Sequence, residues 1–339
     1  MDVAVVGVGA FGRNHARVYR ELEREGAPVR LVAVVDSHQE RARRISQEFE
    51  TAGFESLEQC LASGLTLRAA SVAVPTLHHL KTAKTLMEAG IDVLIEKPVA
   101  ASVEEVDELI HLAELHHRVA QVGHVERFNP AVRATVPLVS RPMFFEVHRL
   151  SVFIARSLDV DVVLDLMIHD LDIVLSFVNS PLKEIRAVGL PILSSKVDIA
   201  SVRVEFASGC VANFTASRVS TERVRKLRFF QLQQYISLDY GRQDVLVFSV
   251  GGQGGALPSP NPDISVSKPR VLSEEPLHAE LQAFIQAVQT RSRPLVSLID
   301  GRRALALALE IVASIHRHRE KIDIDQSGGA RPPVNVEFT

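Results

Sequence analysis

The chain is 339 residues long, with 46% hydrophobic and 23% charged residues and a net charge of −3. Those values describe a globular protein with room for two cores, and they give no electrostatic footing for nucleic acid or an anionic membrane as partner. Two distant cysteines, Cys60 and Cys210, make neither a disulfide framework nor a metal cluster, so no metal and a reducing cytoplasm are expected. No secretory leader is visible after Met1, and the apolar tract 304–315, broken by Glu310, is too short to span a bilayer.

Residues 2–6 form an apolar strand that runs into Gly7-Val8-Gly9-Ala10-Phe11-Gly12, and 13–25 reads as a helix. Gly7 suits the tight turn, Gly9 the approach of backbone to a pyrophosphate, and Gly12 close helix–strand packing. Free N–H groups at the helix start favour phosphate, and Ala10 and Phe11 join the glycines as cofactor candidates. A second strand, 30–35, ends in Asp36, near the spacing expected for a carboxylate on a ribose 2′-hydroxyl. No arginine follows directly, and Arg41 and Arg43 are expected on the outer face of a solvated helix. NAD is therefore expected over NADP. The alternative is a glycine-rich turn that binds nothing.

A third apolar strand, 69–74, ends at Val74-Pro75-Thr76, with Thr76 expected to cap a helix running to Gly90. Val74, Pro75 and Thr76 are cofactor candidates. His79 is expected either near the nicotinamide or as plain polar surface. The next strand begins at Asp92 and stops on Glu96-Lys97-Pro98, both charged residues being candidate cofactor contacts. Pro98 cannot join a ladder and holds Lys97 extended, so the lysine stands at a strand end and faces the ligand crevice of a parallel sheet. Taken alone, it could equally be a solvated lysine. A helix over 102–117 opens with Ser102 and Glu105 in a capping-box pattern, and a strand over 119–122 follows. Strands alternating with helices in this way predict a doubly wound parallel sheet.

After Gly123 the pattern changes. The turn "GHVERFNPAV" leads into β-like runs at 144–150, 184–188, 200–206, 211–216, 227–232 and 235–238, several of them alternating. A second, mostly antiparallel sheet with one open face is expected. One helix interrupts it, in "VLDLMIHDLDIVL", where Leu164, Met167, Ile168, Leu171 and Leu175 make a core stripe. Beside the stripe Asp165, His169 and Asp172 line up at i, i+4 and i+7. They are either a solvated polar face or a histidine base oriented by Asp165. A mobile loop is expected at 251–262, helices at 277–288 and 302–316, and a poorly ordered tail from Gln326.

Together the motif at Gly7–Gly12, the Glu96-Lys97-Pro98 run and the Asp165/His169 pair resemble the glucose–fructose oxidoreductase, inositol dehydrogenase and rhizopine catabolism protein (Gfo/Idh/MocA) family. The resemblance covers nearly the whole chain. It implies an NAD-dependent dehydrogenase with a Rossmann domain (1–122), a substrate-binding and oligomerisation domain (123–325) and a tail (326–339). It also implies catalytic Lys97, Asp165 and His169, with Glu126, Arg127 and Asn129 beside them at the substrate. More narrowly, "GHVERFNP" and "DVVLDLMIHDLDIV" look like the UDP-N-acetylglucosamine 3-dehydrogenase branch. That branch implies oxidation of a nucleotide-sugar C3 hydroxyl, whose keto product a transaminase uses to make a diamino sugar for lipid A. Dehydrogenation of a free sugar, an inositol or a UDP-hexuronic acid is the alternative. A non-catalytic NAD(H)-binding regulator should have lost Lys97 or His169, and both are present. The open sheet face is expected to pair copies into a homodimer or homotetramer.

Overall fold

The computed structural model describes residues 1–153, 160–251 and 263–321. Beyond Gly251 the expected loop at 251–262 lies outside the described residues, as does the tail from Gln326.

Six short apolar strands form the first sheet: β1 (Asp2–Val6), β2 (Arg30–Val35), β3 (Ala52–Phe54), β4 (Ala69–Val72), β5 (Asp92–Glu96) and β6 (Ala120–Gly123). All run parallel, in the order β3-β2-β1-β4-β5-β6. Strands β4, β5 and β6 are buried at every position, which is why they read as apolar runs without alternation. The order reverses between β1 and β4, and the crevice outside the carboxyl ends of these strands is where such a sheet binds ligands. Helices α1 (Ala10–Arg24), α2 (Gln39–Glu48), α3 (Leu57–Ala62), α4 (His79–Glu88) and α5 (Val103–Leu115) complete this layer. Ser102 caps α5 by accepting from the Glu105 N–H at 3.3 Å, while the Glu105 carboxylate accepts from the Ala101 N–H at 2.9 Å. Thr76 is not a helix cap. It opens a single 3-10 turn, Thr76–His78, with no side-chain cap bond, and α4 starts only at His79.

A short helix α6 (Pro130–Thr135) leads into the second sheet. Its strands are β7 (Phe144–Val152), β8 (Leu182–Leu190), β9 (Ile199–Phe206), β10 (Val211–Ser220), β11 (Val224–Gln231), β12 (Gln234–Asp239), β13 (Asp244–Gly251) and β14 (Asp263–Ser267). They lie in the order β14-β13-β12-β11-β7-β10-β9-β8, antiparallel except for the β7–β10 pair. One face packs on α7 (Ile168–Phe177) and α9 (Leu298–Lys321), and Phe145, Val147, Val202, Phe214 and Phe229 fill the core between them. The other face is open.

Two late helices tie the sheets together. Helix α8 (Pro276–Thr290) returns to the first sheet, where Leu281 and Phe284 share a core with Val3, Val5 and Tyr19. Each such side chain contributes about 1.5–3 kcal/mol on burial. Helix α9 serves both sides: Leu305 sits in the core beside β5 and β6, while Leu307 and Ile311 sit in that of the second sheet. Among the described residues no helix is long and apolar enough to cross a membrane.

Candidate active site

A cavity of about 600 Å³ opens at the carboxyl ends of β1, β2 and β4, lined in part by Gly7, Gly9, Asp36, Val74 and Pro75. Gly7 has φ +86°, and a Cβ there would meet the Ala73 carbonyl carbon at 2.6 Å. A Cβ on Gly12 would fall 1.7 Å from the Gly7 carbonyl oxygen, so α1 packs against the turn only with glycine. At Gly9 the position is open, with nothing within 4 Å of a Cβ. That gap lies beside the first N–H groups of α1, which have no partner inside the helix. Asp36 is held rigidly, its carboxylate accepting from the N–H groups of Val8 and His38, each at 2.9 Å.

Three expectations for this half change. Arg41 does not point outward: because α2 starts at Gln39, its first turn brings the guanidinium to 3.2 Å from both Asp36 oxygens. His79 is buried, not polar surface, its ring nitrogens 2.9 Å from the Pro98 carbonyl and 2.8 Å from that of Val74. It braces the turn after β4 against the turn after β5. Glu96 also faces inward. Its carboxylate lies 2.9 Å from His15 Nε2 and accepts from the Lys97 N–H at 3.2 Å. Burial alone would raise this carboxyl; the His15 bond and the charges of His15 and Lys97 outweigh it and hold it below its ordinary range. Gly123 makes the room, since a Cβ there would sit 2.9 Å from Glu96 Oε1.

Lys97 follows β5 directly, with a cis peptide to Pro98. Its ammonium donates to the Asp165 carbonyl at 2.7 Å and to the Asp165 carboxylate at 3.3 Å. Asp165 therefore serves the lysine, and among the described residues no hydrogen bond or ion pair links it to His169. The physical reason is local: Val163–Met167 is one turn of π-helix, wider than an α-turn, so residues four apart no longer stack. Asp172 is drawn away too, accepting from Arg127 Nε at 2.8 Å. His169 is left as a partly accessible ring whose Nδ1 is buried without a partner among the described residues. Burial, then the charges of Lys97 and Arg149, push its pKa well below the ordinary value, so it stands neutral and able to take a proton.

One histidine was invisible to sequence reasoning. His124 follows β6, whose Gly123 is in register with Glu96, so His124 stands beside Lys97 at the sheet mouth. Its ring is buried, 6.3 Å from that of His169 and edge-on to it, with neither nitrogen partnered among the described residues. Only the register of β5 and β6 could have pointed to it.

Beneath the histidines lies a buried lattice of charges. Arg149 on β7 donates to Asp170 at 2.6 and 2.9 Å and to Glu126 at 3.0 Å, and its guanidinium lies 5.1 Å from the Tyr240 ring centre. Asn129 donates to Glu126 and to the Tyr240 carbonyl, each at 3.1 Å, and accepts from the Ala131 N–H to cap α6. Glu126 and Asn129 are thus buried braces with their polar atoms engaged within the chain. Arg127, bound to Asp172 and 3.7 Å from Asp300, clamps α7 and α9 together.

Comparison with known proteins decides what this architecture is. The model of an oxidoreductase family with an NAD-binding Rossmann fold, Gfo/Idh/MocA, matches residues 1–124, and that of its C-terminal domain matches 138–232. The chain belongs to the Gfo/Idh/MocA family. It is 34% identical over 316 residues to the UDP-N-acetylglucosamine 3-dehydrogenase of Acidithiobacillus ferrooxidans, covering 93% of this chain and 97% of that one. A solved structure of that enzyme superposes with a TM-score of 0.84 at 33% identity, over 94% and 98% of the two chains. A myo-inositol dehydrogenase of Streptomyces leeuwenhoekii is 32% identical over 51% of this chain and 54% of its own. An oxidoreductase from Agrobacterium radiobacter, solved with NAD+ and L-tartaric acid, shares the fold at 16% identity, with a TM-score of 0.80 over 94% and 97% of the chains.

The cofactor of this oxidoreductase is NAD, and its cradle fits that assignment. The open position at Gly9, the first turn of α1 and the fixed Asp36 suit a pyrophosphate followed by a ribose with a free 2′-hydroxyl.

Proposed function

We propose that this protein oxidises the C3 hydroxyl of UDP-N-acetylglucosamine with NAD, giving the 3-keto nucleotide sugar. The observation that carries this reading is the 34% identity to a UDP-N-acetylglucosamine 3-dehydrogenase along nearly the whole of both chains. Bound NAD supplies a hydride acceptor. The chain's own part concerns the alcohol proton. His169, neutral because it is buried beside cations, accepts the proton as the carbon gives up hydride. Lys97, aimed by Asp165, donates a hydrogen bond to the oxygen while negative charge develops there. Residues 1–122 would hold the cofactor and 123–325 the sugar, in the cytoplasm. Absorbance at 340 nm with NAD and a panel of UDP-sugars, free sugars and inositols tests the assignment. Turnover of inositols or free sugars in preference to UDP-N-acetylglucosamine would move the protein to another branch.

The open sheet face supports self-association. Phe144, Phe230, Tyr235 and Phe248 run across four strands with ring centres 5.7, 5.0 and 5.4 Å apart in succession, and Phe230 is exposed. We place a second copy of the chain on this stripe. Sedimentation of the wild type and of Phe230→Glu tests it: a purely monomeric wild type at micromolar concentration would remove the dimer.

A further inference from the structure

One cation at the site has no counter-charge bonded to it. On β11, Arg225 stands directly opposite Arg149 of β7, two strands running antiparallel. Residues so paired point to the same face. The pairs Leu227–Val147 and Phe229–Phe145 bury both members against the helices, so Arg225 lies on the helix side of the sheet, towards the site, and not on the open face.

Its neighbour Arg149 takes up the local carboxylates. Asp170 gives Arg149 both oxygens and Glu126 gives it one, while the other Glu126 oxygen accepts from Asn129. Arg225 makes no side-chain hydrogen bond or ion pair among the described residues, and it is exposed. Two guanidiniums directly opposite on adjacent strands repel.

Arg225 is also among the cations whose charge acts on His169, which puts it near the proposed base. A planar five-donor fork matches phosphate oxygens. We propose that Arg225 is the anion anchor of the substrate site and takes the diphosphate of a nucleotide-linked sugar. This rests on the nucleotide-sugar reading above and adds the residue that would distinguish such a substrate from a free sugar. The groups that face it are Arg149, Arg223, Glu126 and Asp170. Burial and the nearby Arg149 make its charge costly without a ligand.

Calorimetric titration of UDP into the full-length wild type, Arg225→Gln and Arg225→Lys tests the assignment, with NADH titrated in parallel. UDP should bind roughly 10–100-fold more weakly to Arg225→Gln, the loss of one charge-assisted pair. Arg225→Lys should fall between, because it keeps the charge and loses the fork. NADH affinity should stay level across all three. Raising salt should weaken UDP binding to the wild type more than to Arg225→Gln. Equal UDP affinity in wild type and Arg225→Gln overturns the anchor and leaves the nucleotide-sugar reading standing. A parallel loss of NADH affinity in both variants also overturns it, since that marks a structural role. If the wild type binds neither UDP nor UDP-sugars, the nucleotide-sugar reading falls and the anchor falls with it.

Discussion

Around Gly7 and Gly9 the protein presents backbone, whereas around His169 it presents interlocked charge. In the cofactor half the decisive features are glycines, Gly7 where a Cβ would strike backbone and Gly9 where the space stands open, and a single carboxylate, Asp36, held by two N–H groups. In the substrate half Lys97 depends on Asp165, Arg149 on Asp170 and Glu126, and Arg127 on Asp172. A backbone cradle is damaged by adding atoms. A charge lattice is damaged by taking one away.

The largest expected effect lies at the lysine and the base. Lys97→Met and His169→Asn should each lower kcat by roughly 10²–10⁴-fold while NADH affinity holds, measured by single-turnover NADH formation. Asp165→Asn sharpens the comparison. If it served His169, the acidic limb of the rate profile would move; because it pairs with Lys97, the rate should fall with that limb in place. The limb itself should lie below the ordinary histidine value of 6.5, since a depressed pKa keeps His169 neutral as pH falls. A limb at or above 6.5 would remove His169 as the base.

Next comes Arg149→Met, which leaves Asp170 and Glu126 buried and unpaired. Chemical denaturation should show a loss of about 3–5 kcal/mol. Gly9→Ala should do the reverse, with stability unchanged because its Cβ meets nothing and φ is −63°. NAD binding should weaken by about 1–3 kcal/mol, the usual cost of overfilling a fitted space, as read by calorimetry. Unaltered NAD affinity in Gly9→Ala would break the comparison.

The smallest effect concerns Glu280 of α8, fully buried with both carboxyl oxygens unpartnered among the described residues. Burial, then Glu96, pushes its pKa well above 4.5. The unfolded chain thus releases this proton as pH passes 4.5 while the folded chain keeps it, so this group's contribution to stability declines as pH rises. Glu280→Gln should raise the melting temperature by a few degrees at pH 8 and by less at pH 5. Equal shifts at both pH values would show that Glu280 ionises freely.

How much of this was legible in the sequence follows the same divide. Strands β1, β2, β4, β5 and β6 announce themselves because burial on both faces demands unbroken apolar runs, Gly7 and Gly12 because sterics leave no alternative, and Gly9 because a pyrophosphate would need the open space. Strand β3 escaped notice, being three residues with Gly53 at its centre. So did β13, although Val245 and Val247 point inward as its alternation requires. In the substrate half, Lys97 and His169 were legible as residue types, but their partners were not. The spacing of Asp165 and His169 implies a pair only if the turn between them is α-helical, and a π-turn intervenes. Arg149, Arg225 and His124 acquire meaning only through strand register, which no local pattern encodes.

The return of α8 has a consequence for how the protein is made. Leu281, Phe284 and Ile285 complete the core that α1 makes with Val3 and Val5 through Tyr19 and Leu22, so that core lacks one of its packing elements until the chain has passed residue 290. Domains ordinarily fold from the N-terminus during synthesis. Here a core of the nucleotide-binding sheet is begun before the second sheet is translated and completed after it. A fragment ending after β6 should therefore be insoluble or chaperone-bound, although it carries every strand of that sheet.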